Sequence, residues 1–164
     1  MRKIHSVPEA EIAAAIGRIT IAWNDLHYEF FLMFVAASGM PKGSADAIFF
    51  AIKNDNSHRD MTKAALLEAL RPNKMRREAI NLIKRAGKFA GERNLPVHAM
   101  WATHYPSGDL VLSPFVRQKS ASRTGKIDVR LAETLGSVNA LYREALRLQT
   151  RISKHLASRR KSRG

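Results

Sequence analysis

The chain has 164 residues and no cysteine, and 28 lysines and arginines against 14 acidic residues give it a net charge of +14. Its size and its hydrophobic content of 45% fit one globular domain, and the absence of thiols excludes disulfides and cysteine-based catalysis or metal sites. The positive charge favours a polyanionic partner, with nucleic acid first and an anionic membrane surface second, although a protein that is merely soluble and basic is the alternative.

The N-terminal part of the chain is predicted to form one long helix. Residues 6–9 are typical of a capping box, with Pro8 in the first turn, where its missing N–H costs little. Apolar residues then recur at steps of three and four until Gly39 and Pro41: Ile12, Ile16, Ile19, Trp23, Leu26, Phe30, Met33 and Ala37. A second apolar strip is predicted to widen the buried face: Ile21, Phe31, Leu32 and Val35.

Two shorter helices are predicted to follow. Ser44 is expected to cap a helix that ends near Ile52, before the polar turn of residues 54–56. Ser57 is expected to begin the next helix, which runs to Pro72.

The fourth predicted helix is basic. Asn73 is expected to cap it, and it should end near Arg93 because Pro96 disfavours helical conformation in the residue before it. Five cations on its outer face are predicted to contact a polyanion: Arg76, Arg77, Lys84, Arg85 and Lys88. A solvated helix face without a partner is the alternative.

A β-hairpin is predicted before the last helix. Residues 98–105 and 110–117 are rich in β-branched and aromatic side chains, and residues 106–109 between them have turn chemistry. Trp101 could stack on an unpaired base, although packing within the hairpin is the commoner role. A last long helix follows with one apolar stripe: Leu131, Leu135, Val138, Leu141, Ala145, Leu148, Ile152 and Leu156.

These elements predict an all-α fold, an up-and-down bundle of four to five helices with a β-hairpin insertion before the last helix. One domain is expected over residues 1–157, followed by a disordered basic tail over residues 158–164. Three cations of that tail are further predicted nucleic-acid contacts: Arg159, Arg160 and Lys161. The longest apolar run, residues 30–37, is too short to span a bilayer, and no signal peptide precedes it. A soluble cytoplasmic protein without membrane partners is therefore expected.

Arg93, Asn94 and His98 are the predicted catalytic residues. Imidazole can act as general base and then general acid near neutral pH, as cleavage of RNA through its 2′-OH requires. Arginine supplies a fixed cation for the charged phosphate in the transition state, and Asn94 could hold a phosphate oxygen or orient the imidazole. A turn at Pro96 is expected to let Arg93 and His98 converge. The structural alternative is an arginine that binds helix-end carbonyls and a histidine that caps a strand.

The segment Arg93-Asn94-Leu95-Pro96-Val97-His98 resembles the Arg-x4-6-His motif of HEPN domains in its shortest form. The long first helix with Trp23 midway, and Trp101 after the histidine, are also similar to uncharacterised HEPN-like bacterial proteins. The resemblance covers six residues as a motif and most of the chain as architecture. It implies a metal-independent endoribonuclease of the toxin or defence type that works as a homodimer, with RNA as substrate and an antitoxin as a candidate protein partner. The motif's arginine and histidine would be catalytic and its asparagine supporting.

The segment departs from the family pattern at two positions. Ala99 stands where relatives often have glycine, and Pro96 stiffens the spacer. Because many HEPN-like domains are inactive, the competing interpretation is a non-catalytic basic helical module that binds nucleic acid or a protein partner.

Metal and cofactor sites are not predicted. His98 and His104 could share a strand face with Glu92 nearby, but metal sites need three or four supported ligands, and no further carboxylate lies close in sequence.

The roles of two charged residues stay open between a functional and a structural interpretation. Arg59 could contact a phosphate, although capping of the first helical turn by Asp60 is the favoured explanation of that segment. Glu29 could pair with Arg93 or be solvated at the rim of the core.

Overall fold

Five helices make up most of the part of the chain that the structure describes. The computed structural model describes residues 9–98, 101–104, 109–112 and 127–162, with side chains over 9–94 and 131–162. The helices are α1 (Glu9–Ser38), α2 (Lys42–Ala51), α3 (Asp55–Ala69), α4 (Lys74–His98) and α5 (Ile127–Lys161). The predicted all-α helical architecture is confirmed. Within the described residues, no helix combines the length and apolar character needed to cross a bilayer.

The core lies where α1, α3, α4 and α5 meet. α1 packs along α5 and against α3, and α4 packs against both α3 and α5. The apolar seam predicted for α1 is confirmed, since Ile12, Ile19, Leu26 and Phe30 are each at most 1% exposed. Amphipathic helices of this kind are stabilised mainly by burying one face.

The second apolar strip of α1 is only partly buried. Phe31 packs with Phe34 and Phe49 of α2 in a smaller cluster, but Ile21 is 63% exposed, so its predicted burial is wrong. Ile21 and Phe30 are nine residues apart, which places them on opposite sides of the helix at about 100° per residue.

α2 and α3 begin earlier than predicted. α2 starts at Lys42 after Pro41, without a side-chain cap, so Ser44 is not its capping residue. Asn54 caps α3, because its side-chain oxygen accepts hydrogen bonds from the backbone N–H groups of Asn56 and Ser57 at 2.8 and 3.4 Å. Since α3 therefore begins at Asp55, the prediction that Asp60 caps its first turn is wrong.

α4 continues to His98, so the prediction that it ends near Arg93 is wrong. Pro96 lies in the last turn, where its missing N–H removes a single backbone hydrogen bond, that to the carbonyl of Glu92. The local preference against a helix before proline is too weak to end α4 there.

Two four-residue strands lie between α4 and α5: β1 (Trp101–His104) and β2 (Asp109–Leu112). They pair antiparallel, with Trp101 opposite Leu112 and His104 opposite Asp109. His98, which was predicted to begin the first strand, belongs to α4 instead. The connecting residues 105–108 and the predicted strand residues 113–117 lie outside the described part of the chain.

α5 extends into the segment predicted as a disordered tail. Residues 158–161 form its last turn, and two of their side chains bind the C-terminal ends of other helices. Arg159 donates to the Ala69 carbonyl of α3 at 3.3 Å, and Arg160 donates to the Ala36 carbonyl of α1 at 2.9 Å. Carbonyls at helix ends lack partners within the helix, so these arginines satisfy them.

Candidate functional site

Arg93 lies at a junction of α1, α3 and α4. Its Nη2 donates to the Oδ2 of Asp55 at 2.8 Å, and its guanidinium lies 4.6 Å from the ring centroid of Trp23. The indole N–H of Trp23 donates to the same Asp55 oxygen at 3.0 Å. Because the Arg93 side chain is only 13% exposed, its fork is held in one orientation by an ion pair and a cation–π contact.

A polar cleft of about 580 Å³ opens beside Arg93, between α3 and α4. Its charged walls are Lys53, Arg59 and Arg93 against the single carboxylate of Asp55. Its other lining residues are amides or small: Asn54, Asn56, Asn94, Gly87, Ala90 and Gly91. Three cations against one carboxylate make this cleft a place where an anion would be stabilised.

Arg59 is the most deeply buried cation in the cleft wall, with 4% of its surface exposed. It donates through Nη2 to the side-chain oxygen of Asn56, whereas its buried Nη1 has no hydrogen-bond partner among the described residues. Burial lowers the pKa of the Arg59 guanidinium and the nearby Asp55 opposes this, but arginine remains protonated at neutral pH. The Nε of Arg93 is likewise buried and has no hydrogen-bond partner among the described residues.

Asp55 connects these cations to a pair of histidines. Burial raises the pKa of the Asp55 carboxyl, but His27, the indole N–H of Trp23 and the two arginines lower it by more, so the net shift is downward. Burial also lowers the pKa of His27 to about 4, which leaves its imidazole neutral at pH 7. The Nε2 of His27 lies 3.8 Å from the Oδ2 of Asp55. That distance is too long for a hydrogen bond.

His27, Asp55 and His58 form the one group of potential metal ligands among the described residues, with ligand atoms within 4.8 Å of one another. The Nε2 of His58 lies 2.7 Å from the Ile52 carbonyl, a contact that orients imidazole ligands in many metal sites. The charges of Arg59 and Arg93, however, oppose any added positive charge here, as they do in lowering the pKa of His27. The arrangement therefore suits an anion better than a divalent cation.

The three predicted catalytic residues lie on one helix, but only two of them are described as lining the cleft. Arg93 and Asn94 line the same cleft. His98 belongs to the same continuous helix, so the turn that was expected to make it converge with Arg93 is absent. Positions five apart on a helix are separated by about 7.5 Å along the axis and about 140° around it. The His98 side chain lies outside the described residues.

Glu29 fits neither of its predicted roles. It is 5% exposed and is therefore not solvated, and the partner of Arg93 is Asp55. Burial, reinforced by the charge of Asp25, raises the pKa of Glu29. Sequence reasoning missed Asp55, although its spacing of three residues from His58 places both on one face of α3.

The predicted basic face of α4 is partly used for internal contacts. Arg85 forms an ion pair with Glu144 through two contacts of 2.9 and 2.8 Å, and Arg76 donates to the Leu70 carbonyl at 3.1 Å. Four of the predicted contacts on α4 are exposed: Arg77, Lys84, Lys88 and the paired Arg85. Of the others, Lys161 is exposed, while the side chain of Trp101 lies outside the described residues.

Comparison with known proteins adds no functional assignment. No protein-family model matches the chain, and neither do any curated protein or solved structure. Function must therefore be inferred from the residues of the cleft.

Proposed function

We propose that the protein is a HEPN-like, metal-independent endoribonuclease that cleaves RNA through a 2′,3′-cyclic phosphate. One observation carries the proposal: Arg93 and Asn94, which begin the Arg-x4-6-His motif, line a cleft whose other cations are Lys53 and Arg59. A phosphodiester is a suitable anion for such a cleft, because arginine donates two parallel hydrogen bonds to phosphate oxygens. The net charge of +14 would attract RNA to it.

The contacts of Arg93 favour a role in transition-state stabilisation. A cation that is already oriented needs no reorganisation when negative charge develops on the phosphate. Asp55 and Trp23 supply that orientation through their contacts with the guanidinium. Asn94 is exposed beside it and would hold a phosphate oxygen. His98 would take the proton of the 2′-OH and return one to the leaving 5′-oxygen.

The positions of Arg93 and His98 on one helix support the predicted homodimer. The two positions are about 140° apart around the helix axis. Within one protomer they therefore lie on different sides of α4. Two copies related by a two-fold axis could place the arginine of one beside the histidine of the other. RNA, a second copy of the chain and an antitoxin therefore remain the proposed partners.

The test is cleavage of single-stranded RNA by purified protein in EDTA. We expect products with 2′,3′-cyclic phosphate ends, and a loss of about 100-fold in rate for His98→Ala and for Arg93→Ala, as is typical when one acid–base group or one charge-stabilising donor is removed. Arg147→Ala, which removes an exposed arginine of α5, is the matched control and should retain the rate. Equal cleavage by the wild type and both site variants would contradict the assignment.

A non-catalytic RNA-binding module is the second candidate. The contacts of Arg93 with Asp55 and Trp23 favour it, because they also explain the arginine as a structural residue that links α4 to α1 and α3. Salt-dependent RNA binding without cleavage by the wild type would support the module.

A further inference from the structure

We propose that Arg59 is a second phosphate-binding residue, which together with Arg93 makes the cleft between α3 and α4 a specific site for one phosphate group. The proposal deepens the proposed function, on which it rests for RNA as the source of the phosphate. The binding of phosphate itself follows from the cleft alone.

Arg59 is a buried cation with unmet hydrogen-bonding capacity within the described part of the chain. Arg59 is 4% exposed, and among the described residues its Nη1 has no hydrogen-bond partner. A buried charged donor without an acceptor is costly, and the negative charge of an anion in the adjoining cleft offsets part of that cost. The Nε of Arg93 is another buried donor without a described partner, and it carries a similar cost.

The residues that line the cleft carry an excess of positive charge. Lys53, Arg59 and Arg93 line the cleft with one carboxylate, that of Asp55. Asp55 already accepts hydrogen bonds from Trp23 and Arg93. A bound phosphate would compensate the remaining positive charge, and two planar guanidinium forks suit its tetrahedral set of oxygens.

The α4 wall of the cleft is left open by two glycines. Gly87 and Gly91 both line the cleft and are separated by one helical turn. A Cβ at Gly87 would lie 3.6 Å from the Nε of Arg59, and a Cβ at Gly91 would meet nothing within 4 Å. Glycine weakens a helix relative to alanine, so Gly87 retains room beside Arg59 at the expense of helix stability, while Gly91 leaves the next turn of the cleft wall open.

The site can be tested without RNA cleavage. Binding of inorganic phosphate, and of a 2′-O-methyl oligonucleotide that cannot form a cyclic phosphate, is measured calorimetrically on the full chain. We expect Arg59→Met and Arg59→Lys to weaken both at least tenfold, since the first removes the charge and the second removes the fork. Arg147→Met, on the exposed face of α5, should bind like the wild type. Wild-type affinity in both Arg59 variants would overturn the proposal.

A second pair of variants leaves both arginines in place. Gly91→Glu and Gly91→Gln add side chains of nearly equal size to the open wall, but only the first adds negative charge. We expect phosphate to bind at least tenfold more weakly to Gly91→Glu than to Gly91→Gln. Equal binding by the two would overturn the proposal, and this comparison decides the matter if Arg59→Met fails to fold.

The outcomes separate this site from the proposed function. Arg59-dependent binding of the oligonucleotide, with no cleavage of RNA by the wild type, would support the site and contradict the ribonuclease. Cleavage that Arg59→Met leaves unchanged would overturn the site alone. Arg59-dependent binding of inorganic phosphate, with no Arg59-dependent binding of the oligonucleotide, would support a free phosphate ligand and overturn RNA as the source.

Discussion

We expect Phe30→Ala to lower the free energy of unfolding by about 3–5 kcal/mol, the usual cost of truncating a buried phenylalanine. Phe30 is fully buried in the main core, and its backbone carbonyl accepts a hydrogen bond from Thr62 of α3 at 3.3 Å. The cavity would therefore form where α1 packs against α3 and is hydrogen-bonded to it. Urea denaturation monitored by circular dichroism measures the loss.

Ile21→Ala is the matched control on the same helix. Ile21 is 63% exposed, so its truncation should change the unfolding free energy by less than about 0.5 kcal/mol, as is usual for surface positions. Similar losses in the two variants would mean that the buried face of α1 is assigned wrongly, or that a partner covers Ile21 in solution.

We expect acid to remove about 3 kcal/mol of stability through His27 between pH 7 and pH 4. Burial lowers the pKa of His27 in the folded state to about 4 from an ordinary value of 6.5. Between these values the unfolded chain binds a proton that the folded chain does not, so the unfolding free energy falls as the pH falls. The contribution is complete above pH 6.5 and is lost as the pH approaches 4.

Unfolding free energies at several pH values test this expectation. His27→Gln should flatten the dependence between pH 4 and 6.5, because glutamine carries no titrating group. An unchanged slope in His27→Gln would show that other groups cause the acid sensitivity. Asp55, whose pKa is lowered, would contribute its own loss only at still lower pH.

The cleft also explains why stability and binding should be coupled at this site. Asp55 holds Arg93 by an ion pair and lies near His27, while Arg59 and Arg93 leave buried donors without described partners. An anion that binds only the folded state stabilises it in proportion to the logarithm of its concentration over its dissociation constant. Phosphate should therefore raise the unfolding temperature of the wild type more than that of Arg59→Met.

The helical class and the buried faces of the long helices could be predicted from the sequence alone. The buried face of α1 shows in the sequence as apolar residues at steps of three and four, from Ile12 to Met33. This is because residues at those steps lie on the same side of a helix. The sequence also predicted a site of Arg93, Asn94 and His98, of which the first two line one cleft. Even the error at Ile21 can be traced to the spacing, since that residue is half a turn out of phase with the seam.

The groups that surround Arg93 could not be predicted from the sequence, because they depend on how the helices pack. Its partner Asp55 is 38 residues away in the chain, and the burial of Arg59 depends on how α3 packs against α4. Periodicity records which face of a helix is buried but not what that face meets, because such contacts depend on the packing of whole helices. The end of α4 was also not predictable from Pro96, because the local effect of proline is weak and the helix continues to His98.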